Sequence, residues 1–216
     1  MAREENEDEE KLNDGNGESY QGVGGFLLEI VKVFILAVVI IVPIRIFLFQ
    51  PFFVQGASME PNFENGEYLI VNELGYKKTE VGLSDTHFFT VNPFKELKRG
   101  DVIVFRPPQR PQQYFIKRVI ALSGEKISVT NGKVYIYNTQ FPGGIPLDES
   151  EYLDKNVITE WANGGVIFTL APDEYFVMGD NRKYSLDSRS WGPLKKDSIM
   201  GKALLRAWPI KKMEVF

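Results

Sequence analysis

Cysteine is absent from the 216-residue chain, and histidine occurs only once, at His87. These two shortages exclude disulfides, thiolate nucleophiles and zinc sites built on Cys or His, and they leave no usual setting for a Ser-His-Asp triad. An excess of basic residues is also lacking, since the net charge is -4, so nothing indicates nucleic acid as a partner. The 44 % hydrophobic and 13 % aromatic content is typical of a folded protein of about one domain.

The N-terminal region predicts a disordered tail followed by a membrane anchor. Residues 1–24 are dominated by Glu, Asp, Asn and Gly and have too few large apolar side chains to form a core. Residues 25–49 are mostly apolar, without interruption from Val33 to Ile44, and are long enough to cross a bilayer. A cleaved signal peptide and a buried soluble helix are the alternatives. The long acidic segment before the apolar run, and the Gln50-Pro51 that follows it, favour a permanent anchor over a signal peptide.

Residues 50–216 are predicted to be mainly β. Short apolar or alternating runs separated by turn residues predict strands, at residues 67–74, 101–105, 114–122, 126–129, 133–137, 166–170 and 174–179. Asn131-Gly132 predicts a type I′ hairpin turn, because both central residues of that turn need positive φ. The Gly-, Pro- and Asp-rich residues 138–165 interrupt the strand rhythm, so we expect a small inserted β subdomain at about 130–172. After the anchor, any helix should be short.

Two residues in the predicted domain could form a nucleophile and its base. Ser58 follows Gly and Ala in GASMEPNF, where backbone amides can approach a substrate carbonyl, although a solvated turn serine is the alternative on local sequence alone. Lys117 and Arg118 are adjacent in an otherwise apolar strand, so alternation turns one of them inward. A buried lysine with a lowered pKa could deprotonate Ser58, but a solvent-facing Lys117 beside a paired Arg118 is equally consistent with the pattern.

A polar loop, GDNRKYSLDSRSWGP at residues 179–193, directly follows a predicted strand. Short polar side chains of this kind bind their own backbone and make a loop rigid. Ser185 could hold a lysine amine, while Asp187 and Arg189 could form a charge-assisted pair. A purely structural loop is the alternative. Calcium is disfavoured because the spacing of an EF-hand is missing, and no metal or cofactor is expected.

The ordered motifs GASMEPNF, RGDVIVF, FIKRVIALSGEKI, GDNRKYSLDSRSWG and GKALLRAWP, after an apolar span, resemble the bacterial-type signal peptidase I family. The resemblance covers nearly the whole chain after the acidic tail. It implies a signal-peptidase-like β-rich catalytic domain with Ser58 as the nucleophile and Lys117 as the general base. It implies that Ser185 orients the lysine, and that a group of loop residues supports the site: Gly179, Asp180, Asn181, Arg182, Asp187 and Arg189.

The resemblance also implies how substrate is held. Phe52, Val54 and Ile116 match positions that line shallow apolar pockets, which would favour Ala at the first and third positions before the cut. Some relatives carry a serine oxyanion donor two residues before the nucleophile. In this chain that position is Gly56, so the oxyanion hole is expected to use the Ser58 amide with the Gly56 backbone or a water.

The implied function is removal of signal peptides from secreted preproteins after Ala-x-Ala by a single-pass membrane enzyme. Its partners would be preprotein signal peptides, the lipid bilayer and, by proximity, the secretion machinery. The positive-inside rule barely decides topology, with Arg3, Lys11 and Lys32 before the span against Arg45 after it. The function itself implies a cytoplasmic N-terminus and an extracytoplasmic catalytic domain.

Three alternatives are less consistent with the sequence. Self-cleaving repressors and mutagenesis-associated proteins share a Ser-Lys dyad, but they carry a DNA-binding module or a short arm where this chain has an apolar span. The endoplasmic-reticulum type of signal peptidase uses histidine as its base, and Lys117 stands against it. An inactive membrane-tethered scaffold would not need Ser58, Lys117 and Ser185 together.

Overall fold

The computed structural model describes residues 23–83, 86–162 and 165–216, so nearly all of the predicted disordered tail lies outside the described residues. The chain divides into two compact units, residues 1–41 and 42–216. Helix α1 runs from Val23 to Phe47. Within the described residues, its segment Gly24–Ile44 is the one helical segment that is long and apolar enough to cross a membrane. None of this segment is buried in the protein. A lipid-facing surface of this kind fits the predicted anchor.

The remainder of the chain is mainly β, as predicted, and its helices are short. The strands are β1 Phe49–Phe53, β2 Tyr68–Asn72, β3 Thr79–Leu83, β4 Thr86–Val91, β5 Val102–Phe105, β6 Phe115–Ala121, β7 Lys126–Thr130, β8 Lys133–Tyr137, β9 Ile145–Pro146, β10 Phe168–Thr169, β11 Glu174–Met178, β12 Leu194–Lys195, β13 Ile199–Trp208 and β14 Glu214–Val215. The helices are α2 Ser188–Trp191 and 3₁₀ turns at Arg182–Tyr184, Lys196–Ser198 and Ile210–Lys212.

The main sheet has the strand order β1-β2-β13-β5-β6-β11-β12, and β14 adds to β13. Every pairing in it is antiparallel. Strand β5 is buried along its whole length, and the second half of β6 is buried with it. Because β5 and β6 are central, residues on β6 have a rigid backbone and little access to water.

The inserted subdomain is a second sheet, with the order β10-β7-β8-β9. Its strands lie between Lys126 and Thr169, close to the expected bounds of 130 and 172. Its apolar face packs on the main sheet in one buried cluster formed by Ile120, Ala121, Ile127, Val129, Val134, Ile136, Leu170, Phe176 and Met178. The insertion is therefore continuous with the core of the catalytic domain.

Besides the two-residue strands β9, β12 and β14, three longer parts of the fold were not predicted as strands. Strand β13 is the longest of the described strands, but its Ala-, Leu-, Lys- and Arg-rich sequence has no strong β propensity, so its neighbours in the sheet decide its conformation. Strand β1 carries Pro51, which an edge strand tolerates because one side of its backbone needs no partner. Strands β3 and β4 form a separate two-stranded hairpin.

The hairpin turn at Asn131-Gly132 offers a test of the fold. Both residues have positive φ, 52° and 77°, as the sequence predicts. A Cβ added at Gly132 would also meet the Ile158 side chain. We expect Gly132→Ala to destabilise the detergent-solubilised protein by about 1–2 kcal/mol in thermal or denaturant unfolding.

Gly143→Ala is the matched control, because Gly143 does not have positive φ and a Cβ there meets nothing within 4 Å. That variant should unfold within about 0.5 kcal/mol of the wild type. Equal stability of the two variants would contradict the turn geometry.

Candidate active site

An open groove of about 780 Å³ crosses the catalytic domain beside Ser58. Its walls come from β1 and the loop after it on one side, and from the start of β6 on the other; residues 184 and 186 of the polar loop complete it. The lining contains Lys117 and Arg110 but no carboxylate. Apart from these two basic residues, the lining is therefore apolar or uncharged.

Ser58 is held on a loop that is anchored at both ends. Before it, the Val54 amide donates to the Glu67 carbonyl at 2.8 Å. After it, Met59 and Phe63 are almost fully buried in the core. The serine hydroxyl is thus carried on a short polar loop between two apolar anchors, which fixes its position against the sheet.

Lys117 lies on β6 opposite Ile103 of β5, and only 3 % of its surface is exposed. Its Nζ is 2.6 Å from Ser58 Oγ and 2.8 Å from the Ile116 carbonyl oxygen. The two candidate residues are 59 positions apart in the chain, and the fold brings them within hydrogen-bonding distance. The inward-facing alternative for Lys117 is therefore the one that the structure adopts.

Burial lowers the pKa of Lys117 from 10.5 to about 8. The main cause is desolvation, which disfavours the ammonium form. Asp187 and Asp180 oppose the shift, and Arg189 adds to it. An amine with this pKa is neutral often enough near pH 7–8 to accept a proton from a hydroxyl 2.6 Å away.

Arg118, next to the base, is also largely buried, and its charge is paired. Its Nε and Nη2 donate to the two carboxylate oxygens of Asp180, at 2.8 and 2.6 Å. Asp180 also accepts from Asn62 Nδ2 at 2.9 Å. Asn62 lies four residues after Ser58, so Asp180 connects the strand that carries Lys117 to the segment that carries Ser58.

The polar loop is braced by ion pairs, as the sequence suggested. Arg189 donates to both oxygens of Asp187, at 2.9 and 2.8 Å, and Asp187 accepts from the Gly179 amide at 3.0 Å. Arg182 is buried and pairs with Glu149 of the inserted subdomain, and it also contacts Thr159. The loop behind the lysine is therefore fixed from both sides, and the insertion supplies one of the fixing residues.

Ser185 is half-buried next to Gly179, with its Oγ atom buried, but the described residues contain no hydrogen bond between Ser185 Oγ and Lys117 Nζ. A Cβ at Gly179 would collide with Ser185 and with the Ser58 carbonyl oxygen. Glycine is thus needed at 179 so that the loop can approach the nucleophile. An orienting role for Ser185 stays a prediction.

The contribution of the Gly56 backbone to an oxyanion hole stays a prediction, and in this structure its amide has another partner. That amide already donates to Asn65 Oδ1 at 2.9 Å. Within the described residues, the Ser58 amide has no hydrogen-bond partner and remains available. The sequence analysis missed Asn62 and Glu149, because no local pattern marks residues whose partners are far away in the chain. It also missed Asn65, whose partner Gly56 is nine positions away on the other side of the loop.

A serine hydroxyl against a buried, weakened lysine base, with a free backbone amide at the serine, is the arrangement of a serine hydrolase. The comparisons agree with this class. The family model for signal peptidase, peptidase S26, matches residues 27–208. The chain belongs to this family and is a serine peptidase, which confirms the resemblance found in the ordered motifs.

Individual relatives match over most of their length. A signal peptidase I of Leptolyngbya laminosa is 34 % identical over 194 residues, covering 87 % of this chain and 82 % of the relative. Signal peptidase I T of Bacillus subtilis is 31 % identical over 221 residues, covering 99 % and 98 %. A crystal structure of a signal peptidase I from Enterococcus faecalis shares 30 % identity and covers 50 % of this chain and 97 % of its own, with a TM-score of 0.39.

The pKa of Lys117 predicts a pH profile. If the neutral amine is the base, kcat/KM for peptide hydrolysis rises about tenfold per pH unit below pH 8 and levels off above about pH 8. Circular dichroism over the same pH range serves as the control for folding. A rate that is flat between pH 6 and 9, or that falls over this range, would exclude Lys117 as a base with this pKa.

Proposed function

We propose that this chain is a membrane-bound serine endopeptidase that removes N-terminal signal peptides from secreted preproteins, cutting after Ala-x-Ala. The observation that carries the proposal is the 2.6 Å separation of Ser58 Oγ and Lys117 Nζ beside a peptide-sized groove. Membership of the signal peptidase family gives the substrate class. Ser58 is the proposed nucleophile, and Lys117 is the proposed general base.

The lining of the groove supports a preference for small side chains. Phe52, Val54 and Ile116 line it beside Ser58, and Leu69 and Val104 add further apolar surface. Val54, Leu69 and Val104 are buried against the core, so they cannot move aside for a large side chain. An extended signal-peptide segment lying along this groove would place Ala in the shallow apolar pockets and its scissile carbonyl over Ser58.

The proposed reaction is acyl transfer in two stages. Ser58 Oγ bonds to the scissile carbonyl carbon while its proton passes to Lys117 Nζ, and the carbonyl π pair becomes the oxyanion. The Ser58 amide donates to that oxyanion. The lysine then gives its proton to the leaving amine as the C–N bond breaks. Water hydrolyses the acyl-enzyme with the same base, which releases the signal peptide.

The anchor places the enzyme where its substrate is found. Segment Gly24–Ile44 can cross a bilayer, and the family supports a membrane-bound enzyme. We propose a single-pass topology in the cell membrane, with the N-terminus cytoplasmic and the catalytic domain extracytoplasmic. Signal peptides crossing the same bilayer, and the secretion machinery that delivers them, would then lie within reach.

Cleavage of a model preprotein with an Ala-x-Ala site tests the dyad and the substrate class together. We expect the detergent-solubilised enzyme to cut directly after Ala-x-Ala, with the new N-terminus read by mass spectrometry. Ser58→Ala and Lys117→Ala should each lose at least about 10³-fold in kcat. The two residues act as one catalytic unit, so removing either of them removes most of its contribution to the rate.

Lys126→Ala is the control, since Lys126 is an exposed lysine on β7 of the inserted sheet and should leave the rate unchanged. No cleavage by the wild type would refute the proposed function. Cleavage that survives in Lys117→Ala would show that another group is the base.

The groove predicts a change in specificity when one wall is cut back. Phe52 and Tyr114 meet edge to face across it, with ring centroids 5.2 Å apart. Tyr114→Ala should enlarge the apolar pocket. We expect the ratio of kcat/KM for a substrate with Leu at the third position before the cut to kcat/KM for one with Ala there to rise about tenfold over the wild type. Tyr135→Ala, on β8 of the inserted sheet, is the control. An unchanged ratio of the two kcat/KM values would place that pocket elsewhere.

A further inference from the structure

The Ser58 amide is the oxyanion donor that the proposed mechanism uses at the nucleophile. Among the described residues this amide has no hydrogen-bond partner. The Gly56 amide, two residues earlier, donates to Asn65 Oδ1 at 2.9 Å, and Gly56 lacks the hydroxyl that some relatives carry at this position. Stabilisation of the oxyanion therefore depends on the direction of the Ser58 N–H.

The Ser58 amide belongs to the peptide bond between Ala57 and Ser58, and the other end of that peptide bond is held. The Ala57 carbonyl oxygen accepts from Asn181 Nδ2 at 3.0 Å and from the Glu60 amide at 3.2 Å. The described cis peptide bonds are elsewhere, so the Ala57–Ser58 bond is trans. In a trans peptide, the C=O and the N–H point in opposite directions. Fixing the Ala57 oxygen therefore fixes the direction of the Ser58 N–H.

We propose that Asn181 is the positioning residue of the oxyanion hole, acting through the Ala57–Ser58 peptide to aim and polarise the Ser58 amide. This inference rests on the proposed function. Hydrogen bonds donated to a peptide oxygen draw electron density towards it and make the N–H a stronger donor, by roughly 10–30 % per bond. Asn181 thereby offsets the hydroxyl donor that is missing at Gly56.

Asn181 is itself held in place before substrate arrives. Its own amide donates to the Ser58 carbonyl oxygen at 3.1 Å, and its carbonyl accepts from the Tyr184 amide at 3.0 Å. Its neighbour Asp180 is 2 % exposed and is fixed by Arg118. The backbone of Asn181 is therefore fixed beside the Ala57–Ser58 peptide, and the proposed effect of its side-chain bond grows as negative charge develops on the far side of that peptide.

Two variants separate the side-chain bond from the backbone bond. Asn181→Ala removes the donor to Ala57 but keeps the backbone bond to Ser58. Asn181→Asp has nearly the same shape but turns a donor into a charged acceptor facing the Ala57 oxygen. We expect kcat on the Ala-x-Ala preprotein to fall about 10- to 100-fold in Asn181→Ala and further in Asn181→Asp, with KM within about twofold of the wild type.

A peptide aldehyde ending in Ala-x-Ala supplies a readout that a merely structural role would not change. Ser58 Oγ bonds to the aldehyde carbon, its proton goes to Lys117, and the former carbonyl oxygen becomes an oxyanion. Affinity for this inhibitor should fall by about the same factor as kcat/KM. Affinity for a reduced-amide analogue, which has no carbonyl oxygen at the scissile position, should stay within about twofold.

The pH profile and a control variant complete the test. The midpoint of the pH profile should not move, because Lys117 is untouched, and Asn156→Ala should behave like the wild type, since Asn156 is an exposed asparagine outside the groove. Loss confined to KM, or equal loss of affinity for both inhibitors, would overturn the role of Asn181. An inactive wild type would instead refute the proposed function, whereas an active wild type with a fully active Asn181→Ala would refute only this inference.

Discussion

The structure depends on the burial of one amine. Moving Lys117 out of water lowers its pKa from 10.5 to about 8, which corresponds to about 3 kcal/mol against the charged form. At pH 7 the neutral fraction of the amine rises from about one in 3,000 to about one in ten. The proposed role of Lys117 as a base therefore depends on desolvation, and β5 and β6 at the centre of the main sheet provide the dry surroundings.

A buried amine also needs a frame that keeps it against the hydroxyl. Two carboxylates form that frame, and both are almost fully buried. Asp180 connects Arg118, beside the base, to Asn62, after the nucleophile. Asp187 pairs with Arg189 and holds the loop behind the lysine. Both carboxylates also favour the ammonium, so each opposes the full effect of desolvation. The resulting pKa near 8 is a balance between desolvation, which favours the neutral amine, and the two carboxylates, which favour the ammonium.

The sequence predicted the elements better than it predicted their partners. Ordered motifs and strand patterns placed Ser58, Lys117 and the inserted sheet, because those signals are local. Alternation could not decide between Lys117 and Arg118, and the structure buries both, since Arg118 is neutralised by Asp180 from 62 positions away. Asn62 was missed for the same reason, because its partner Asp180 is 118 positions away. Strand β13 was missed because its composition carries no β signal outside the sheet.

Gly56 shows how backbone and chemistry limit each other at this site. Its φ of +87° lies in the region that favours glycine, although a Cβ there would meet nothing within 4 Å. A serine at this position would therefore have room for its hydroxyl but would be strained by about 1–2 kcal/mol in this backbone conformation. A serine hydroxyl at this position would thus favour another backbone conformation than the one that Asn65 holds by the Gly56 amide. In the conformation that this chain adopts, the proposed stabilisation of an oxyanion depends on how well the Ala57–Ser58 peptide is held.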